Sequence, residues 1–176
     1  MDVPPGLTLR TEVRSADCAT VARLVRATQM FSAEEVDIAV ELVSERLAKG
    51  DSSGYRFLIL EDAAGWAGYS CYGLIPCTTI SYDLYWIVVD PTRQRQGLGR
   101  LLVALAEEAA SALGGRAMYI DTSGQDRYRP TRQFYENCGY ELAACLPDFY
   151  ALGDAKCIFR RRLGGDMRPH QALPIS

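Results

Sequence analysis

The chain has 176 residues, of which 48% are hydrophobic and 23% charged, and its formal net charge is −3. This length and composition predict one globular domain with a sizeable core, and the slightly acidic balance excludes the basic surface typical of nucleic-acid binding. No apolar run approaches the roughly twenty residues that span a membrane, and residues 1–5 lack the charged and apolar regions of a signal peptide. We therefore expect no membrane association.

One strand and two helices are predicted in the first third of the chain. Residues 7–13 alternate between apolar and polar side chains, which is typical of a strand. Apolar residues at helical spacing predict one helix over about 16–30 and a second helix that begins after Ser32. Ser32 and Glu35 form the pattern of a capping box, and Gly50 is a typical end for the second helix.

Three consecutive strands are predicted next, over residues 55–61, 66–74 and 81–89. The short turn at 62–65 favours antiparallel pairing of the first two strands, and the third continues this meander. Asp90 and Pro91 end the third strand, because proline cannot donate a ladder hydrogen bond.

A glycine-bearing loop follows the third strand and leads directly into a helix. Apolar residues at helical spacing place this helix over about 98–112, and Gly114 and Gly115 are typical of a left-handed C-terminal cap. Unpaired N–H groups at the helix start, together with Gly97 and Gly99, form a pattern suited to binding phosphate. Three arginines add positive charge nearby: Arg93, Arg95 and Arg100. An ordinary strand-to-helix turn with solvated arginines explains the same residues.

The last third of the chain is predicted to contain three strands and a short helix. The strands are placed at 117–121, 141–146 and 157–162, and the helix at 131–138. The segment 147–156 is rich in turn residues and is expected to be a loop. The tail, 163–176, is predicted to be frayed.

The six cysteines form no CxxC pair and no Cys/His cluster, and the only histidine is His170. We therefore expect neither a metal site nor a Ser/His/Asp or Cys/His catalytic arrangement. Most of the cysteines lie in apolar predicted elements, where a reduced thiol acts as a small hydrophobic group, and this favours a cytoplasmic location. The even count leaves disulfides open.

Two segments resemble a known family. The sequence from Gln94 to Gly99, QRQGLG, resembles the Gln/Arg-x-x-Gly-x-Gly/Ala loop of the GNAT superfamily of N-acetyltransferases. The sequence from Phe134 to Tyr140 is similar to the superfamily's Phe-Tyr-Glu-x-x-Gly-Phe segment. The Gly-Lys-Ser/Thr ending of P-loop sites and the third glycine of dinucleotide-binding loops are absent.

The resemblance implies an α+β domain with the GNAT acyl-CoA N-acyltransferase fold. That fold has a central mixed, mostly antiparallel sheet of about seven strands flanked by about four helices. A single such domain is expected to occupy residues 1–176, with its core at about 7–162.

The resemblance also implies that acetyl-CoA is the co-substrate. In the superfamily, the glycine loop cradles the pyrophosphate of coenzyme A, and a splayed central strand presents main-chain groups to the pantetheine arm and the acetyl oxygen. By this resemblance the cofactor-binding residues are Ile87, Val88, Val89, Gln94, Arg95, Gln96, Gly97, Leu98, Gly99 and Arg100. Plain ladder pairing is the alternative for the strand residues.

Two catalytic residues are expected from the same resemblance. Tyr135 matches the tyrosine that points at the coenzyme sulfur, and a phenol with a pKa near 10 keeps a proton for the departing thiolate. Asp83, eleven residues before Gln94, matches the strand position where histone acetyltransferases carry a glutamate base. The alternative for Tyr135 is a core aromatic residue, and the alternative for Asp83 is a solvated carboxylate. A water is a further candidate for the base.

Tyr85 and Trp86 are expected to contact the acceptor. With Tyr69, Tyr72 and Tyr82 they form an aromatic group on the sheet that suits a small amine, although such tyrosines are usually packing residues.

The sequence departs from the superfamily pattern at one position and leaves a second residue open. Tyr128 stands seven residues before Tyr135, where many members carry asparagine, so no asparagine contact to the coenzyme is carried over. Arg132 is a candidate contact for the adenosine 3′-phosphate, with a surface arginine as the alternative.

The leading hypothesis is an N-acetyltransferase that moves the acetyl group of acetyl-CoA to a primary amine of a small molecule. A protein N-terminal or lysine acetyltransferase and a non-catalytic acyl-CoA sensor are the alternatives. The expected partners are acetyl-CoA and an amine, without nucleic acid, membrane or metal. The acceptor, the acyl length and the oligomeric state, including a homodimer, are left open.

Overall fold

Seven strands form one mixed sheet in the order β1-β2-β3-β4-β5-β7-β6 in the computed structural model, which describes residues 3–164. The strands are β1 (Thr8–Arg10), β2 (Arg56–Asp62), β3 (Gly65–Leu74), β4 (Ser81–Val89), β5 (Ala117–Ser123), β6 (Glu141–Ala151) and β7 (Asp154–Arg162). The helices are α1 (Asp17–Ala27), α2 (Ala33–Lys49), α3 (Leu98–Ala112) and α4 (Arg129–Asn137). Among the paired strands, β4 and β5 alone run parallel. The expected mixed, mostly antiparallel sheet with its flanking helices is confirmed.

Helices α1 and α2 cover the first half of the sheet on one face. The expected capping box starts α2: the Ser32 hydroxyl accepts from the Glu35 N–H at 3.2 Å, and the Glu35 carboxylate accepts from the Ser32 N–H at 2.7 Å. The apolar sides of both helices pack on β2, β3 and β4 in one buried cluster, which includes Val21, Leu24, Val25, Val36, Val43, Phe57, Ile59 and Tyr69. Burial of these side chains holds the helix pair beside the C-terminal half of β4.

Helix α3 packs on the opposite face and starts at the glycine loop. Its buried leucines lie against β2, β4 and β5 in a second cluster, which includes Leu58, Leu60, Leu84, Leu101, Leu102, Leu105, Met118 and Ile120. Gly114 has a φ of +89°, and the Gly115 N–H donates to the Ala110 carbonyl at 2.8 Å. The predicted left-handed cap is therefore confirmed.

The predicted loop over 147–156 is wrong, because β6 continues to Ala151 and β7 begins at Asp154. Pro147 and Asp148 read as a turn, yet they lie in an edge strand where the pairing shifts register between Leu146 and Ala151. An edge strand tolerates proline because its outer N–H groups need no ladder partner. The true turn is centred on Gly153, with a φ of +80°.

Smaller differences concern the start of the chain and the cysteines. Strand β1 and helix α1 are shorter than expected, and α1 ends where the Thr28 hydroxyl donates to the Val25 carbonyl at 2.7 Å. All six thiols are free; Cys71, Cys138 and Cys157 are buried, Cys77 and Cys145 are exposed, and Cys18 is half-buried. Within residues 3–164 no helix has the length and apolar character needed to cross a bilayer. The tail beyond residue 164, with His170, lies outside the described residues.

Candidate active site

Strands β4 and β5 are parallel neighbours that pair only at their beginnings. Residues 81–83 pair with 117–119, and β5 continues to Ser123 along β7 alone. Beyond Asp83 the two strands part, so that within the described residues the main-chain groups of Leu84–Val89 on this side have no ladder partner in β5. The result is a fork in the middle of the sheet, with Asp83 at its apex.

A bulge shapes the β4 arm of the fork. Cys71 pairs with Trp86 and Tyr72 pairs with Leu84, which leaves Tyr85 as the extra residue. Such a bulge bends a strand and redirects its side chains.

The glycine loop lies at the open end of the fork. Arg95 and Gly97 have positive φ values of 62° and 80°, and no atom lies within 4 Å of the position that a Cβ on Gly97 would take. The first helical hydrogen bond of α3 runs from the Leu101 N–H to the Gly97 carbonyl at 3.0 Å. The N–H groups of residues 98–100 therefore have no partner within the helix, and they suit an anion.

Of the three arginines expected near this loop, two line the cleft, Arg95 and Arg100. One guanidinium nitrogen of Arg100 also donates to the Asn137 carbonyl at 3.2 Å. Arg93 instead forms an ion pair with Asp62 at 2.6 Å, and this bond lowers the pKa of Asp62.

The fork and the loop enclose one cleft of about 1180 Å³. Most of the sequence-predicted site residues line it: Tyr85, Trp86, Ile87, Val88, Val89, Gln94, Arg95, Gly97, Leu98, Gly99, Arg100 and Tyr135. Gln96 and Asp83 are not among the lining residues. Gln96 is exposed on the outside of the loop, and Asp83 lies at the apex of the fork.

Tyr135 lies at the end of the cleft where α4 meets the sheet. Its side chain is buried among Phe134, Tyr140 and Phe159, with ring centroids 5.3 to 6.2 Å away. Burial raises the pKa of the phenol well above its ordinary value, so the hydroxyl keeps its proton at neutral pH. The ring of Phe134 packs closely against the glycine loop, because a Cβ on Gly99 would stand only 3.2 Å from it.

Asp83 is half-buried and carries a shifted pKa. Burial, followed by the nearby carboxylate of Asp121, raises the pKa of Asp83 to about 6, while Lys156 opposes the shift. Lys156 lies closer to Asp121, with which it forms an ion pair at 2.5 Å. A carboxyl group with such a pKa ionises close to neutral pH, which suits a proton acceptor.

Residues 53–142 match the family model of the acetyltransferase (GNAT) domain. A protein of the GNAT family from Desulfovibrio desulfuricans is 43% identical, with 90% of this chain and 99% of that chain covered and a TM-score of 0.88. The chain belongs to the GNAT acetyltransferase family. Membership confirms the family, the fold and the enzyme class that the sequence resemblance implied, with acetyl-CoA as the co-substrate.

More distant structures share the GNAT fold alone. An aminoglycoside 6′-N-acetyltransferase complexed with coenzyme A is 18% identical, with a TM-score of 0.71 over 93% of this chain and 99% of that chain. The ribosomal-protein-S18-alanine N-acetyltransferase from Escherichia coli is 18% identical, with a TM-score of 0.70 over 96% and 99%. A comparison with curated protein sequences found no significant match.

In this GNAT domain only part of the expected aromatic group reaches the cleft. Tyr69, Tyr72 and Tyr82 are 1%, 4% and 6% exposed and belong to the two core clusters, so their expected place around an amine is wrong. Tyr85 and Trp86 do line the cleft. Tyr69 and Tyr72 lie in β3 and Tyr82 precedes the bulge, so packing in the two core clusters is what buries them. The bulge at Tyr85 instead allows the neighbouring side chains of Tyr85 and Trp86 both to reach the cleft.

Several residues of the cleft were not predicted from the sequence. Glu35, Asp121, Asp154 and Tyr150 line the end opposite the glycine loop. The sequence predicted only a capping role for Glu35, and it placed Tyr150 and Asp154 in a loop. Their proximity depends on the β6–β7 hairpin, whose true length the pattern did not predict.

The segment between β5 and α4 is held by Arg132 and Tyr128. The Arg132 guanidinium donates to the carbonyls of Ser123 and Gln125 at 2.7 and 2.9 Å. The Tyr128 hydroxyl donates to the Met30 carbonyl at 3.1 Å and so joins this segment to the loop between α1 and α2. Both residues therefore position the wall of the cleft.

The raised pKa of Asp83 predicts a pH-dependent effect of Asp83→Asn on stability. The unfolded chain ionises Asp83 near its ordinary pKa of 3.8, but the folded chain does so near 6, so ionised Asp83 destabilises the fold as pH rises. We expect the variant to have a higher Tm than the wild type at pH 8, and the difference to shrink below pH 6 and vanish near pH 4. Thermal unfolding followed by circular dichroism measures this, with Asp37→Asn at an exposed helix position as the control. Equal differences at every pH would contradict the shift.

Proposed function

We propose that this enzyme transfers the acetyl group of acetyl-CoA to a primary amine of a small molecule by direct attack in a ternary complex. The observation that carries the proposal is the fork between β4 and β5, which opens onto the glycine loop at the start of α3. One cleft thereby joins an anion-binding end to a set of unpaired strand groups.

The glycine loop is assigned to the diphosphate of the co-substrate. N–H groups of residues 98–100 and the guanidinium groups of Arg95 and Arg100 supply hydrogen bonds and positive charge. The open space around Gly97 lets a phosphate approach the main chain.

The β4 arm is assigned to the pantetheine arm and the thioester. Main-chain groups of Ile87, Val88 and Val89 that would pair with a neighbouring strand are free for the ligand. An N–H group directed at the thioester oxygen would stabilise the negative charge that develops there during attack.

Asp83 is assigned as the base that removes the proton of the amine. An ammonium has no lone pair, so the acceptor must lose a proton before its nitrogen attacks the acetyl carbon. Asp83 ionises near pH 6 but does not line the cleft, so it takes this proton through one water.

Tyr135 is assigned as the acid that gives a proton to the leaving group. The nitrogen–carbon bond forms as the carbonyl electrons move to oxygen, and their return breaks the carbon–sulfur bond. The phenol then protonates the thiolate of coenzyme A and regains its proton from solvent. The products are an amide and free coenzyme A.

A small acceptor is favoured over a protein because the cleft is bridged at its far end. Tyr128 joins the β5–α4 segment to Met30, and Tyr150 of the β6–β7 hairpin lies near Glu35 of α2. These contacts leave less room for an extended peptide than an open groove would. The cytoplasmic location stays a prediction, and the oligomeric state, including a homodimer, stays open.

An acceptor screen tests the proposal. Thiol release from acetyl-CoA is measured with polyamines, amino acids, amino sugars and short peptides. We expect at least one small amine to accelerate release and to gain an acetyl group by mass. Acetyl-CoA binding without release by any amine would favour a sensor, and release with peptides alone would favour a protein acetyltransferase.

We expect Gly97→Ala to weaken acetyl-CoA binding by roughly five- to tenfold, because a left-handed alanine costs about 1–2 kcal/mol and the loop relaxes to avoid that cost. Gly114→Ala at the other end of α3 is the matched control, since Gly114 has a φ of +89° and equally open surroundings. Both variants lose stability, but only the first loses affinity in calorimetric titration. Equal affinities would remove the loop from the binding site.

Tyr135→Phe is expected to lower kcat by about 10²-fold, near the lower limit for a general acid because a thiolate leaves readily. The Kd for acetyl-CoA should hardly change. Tyr140→Phe is the control, since Tyr140 lies in the same aromatic cluster, 6.2 Å from Tyr135 between ring centroids, but does not line the cleft. Unchanged turnover in Tyr135→Phe would assign the proton to another group.

The activity of the wild type is expected to rise with pH around a midpoint near 6, since Asp83 accepts a proton only when ionised. In Asp83→Asn this limb of the kcat/KM profile disappears and the rate falls by about 10²-fold or more. A variant that keeps the limb would show that water or another group is the base.

A further inference from the structure

We propose that the acceptor carries a second protonated amino group, which binds between Glu35, Asp121 and Asp154 while the first amine is acetylated. This inference rests on the proposed function and names its substrate class as small diamines, polyamines or amino sugars. It concerns the end of the cleft opposite the glycine loop, called the acidic end and defined by these three carboxylates.

The three carboxylates come from three different elements. Glu35 lies in the first turn of α2, Asp121 in β5 and Asp154 at the start of β7, and all three line the same cleft. Tyr150 lies among them, since burial and then the charges of Asp121, Asp154 and Glu35 raise the pKa of its phenol. Their convergence is therefore a property of the folded cleft, where a ligand has room.

Asp154 is an anion without a cation. It is 7% exposed, and its carboxylate accepts hydrogen bonds from the Ser123 hydroxyl at 2.5 Å and the Gln125 amide at 2.9 Å. It forms no ion pair with any residue in the range 3–164. A buried charge with neutral partners alone is costly, and a cationic ligand would offset that cost.

The charges of the cleft have opposite signs at its two ends. Arg95 and Arg100 lie at the glycine loop, whereas the acidic end has three lining carboxylates and one lining cation, Arg127. Lys156 stands behind this end and already forms an ion pair with Asp121. A field of this kind orients an anionic coenzyme and a cationic acceptor toward each other.

Aromatic side chains complete the acidic end. Tyr128 and Tyr150 line it beside the carboxylates, and Phe31 packs against Trp86 in the wall toward the fork, with 5.1 Å between the ring centroids. Ring faces attract ammonium groups, and the effect grows when water is excluded. The indole N–H of Trp86 is buried and has no hydrogen-bond partner among the described residues, so it is a donor for a hydroxyl or carbonyl oxygen of the ligand.

The test compares amines that differ only in the second charge. Thiol release is measured with α,ω-diamines of about three to eight carbons and with n-alkylamines of the same lengths. We expect the best diamine to exceed its matched monoamine by at least about tenfold in kcat/KM, and the advantage to fall with ionic strength because the interaction is electrostatic.

Charge variants of opposite sign make the test specific. Glu35→Gln and Asp121→Asn should raise the KM for that diamine by roughly three- to tenfold, with no change in the KM for the monoamine or acetyl-CoA. The assays are run at pH 8, because Asp121→Asn also lowers the pKa of Asp83, which is ionised at that pH with or without the substitution. Lys156→Gln should lower the diamine KM, because it removes positive charge beside the acidic end. Glu34→Gln, next to Glu35 but exposed and outside the cleft, should change nothing. Glutamine at position 35 keeps an oxygen for the capping box, so the helix start is retained.

Two results would overturn the inference while leaving the proposed function intact. One is equal kcat/KM for diamines and monoamines, and the other is a shift in KM that is the same for both in Glu35→Gln and Asp121→Asn. A peptide with a single amino group that is acetylated faster than every diamine would also overturn it. If acetyl-CoA binds and no amine releases thiol, the proposed function itself has failed.

Discussion

The parting of β4 and β5 is the constraint on which the rest of the site depends. Two parallel strands that stay paired would satisfy each other's main-chain groups and close the sheet. Here pairing stops at Asp83, and the groups beyond it are left beside a cleft. The arrangement is stable because the other edges of both strands stay in ladders: β4 pairs with β3 and β5 pairs with β7 over most of their lengths. The helices α1 and α2 on one face and α3 on the other bury the remaining apolar surface.

The fork also separates charges that would otherwise compete. Arginines and helix N–H groups lie where β4 ends, and carboxylates lie where β5 ends and β7 begins. Between them stand Tyr135 and Asp83, whose pKa values are both raised mainly by burial. The same effect has different consequences for the two groups. It keeps the phenol of Tyr135 protonated, and it brings the pKa of the Asp83 carboxyl group closer to neutral pH. One fold feature, a strand pair opened in the middle of a packed sheet, therefore supports both the proposed proton donor and the proposed proton acceptor.

The sequence-based prediction was strongest where a local rule decided the structure. The capping box at Ser32, the glycine cap after α3 and the glycine loop at Gly97 depend on neighbouring residues and were read from the pattern alone. Prediction was weakest at the β6–β7 hairpin, because Pro147 and Asp148 carry turn signals that an edge strand tolerates. It also misplaced Tyr69, Tyr72 and Tyr82, because the aromatic composition of β3 and β4 does not show which tyrosines the two core clusters bury.

The amino-acid sequence by itself determined the family, the order of the elements and the loop proposed for the diphosphate, because these follow from short-range chemistry: glycine conformations, helix starts and two motifs. Tertiary structure alone decided where the strands part, which aromatic residues reach the cleft, and that Glu35, Asp121 and Asp154 meet at one end of it. Those three carboxylates lie far apart in the chain and no local pattern links them. Their meeting depends on strand register and on packing across the sheet, which are properties of the whole fold.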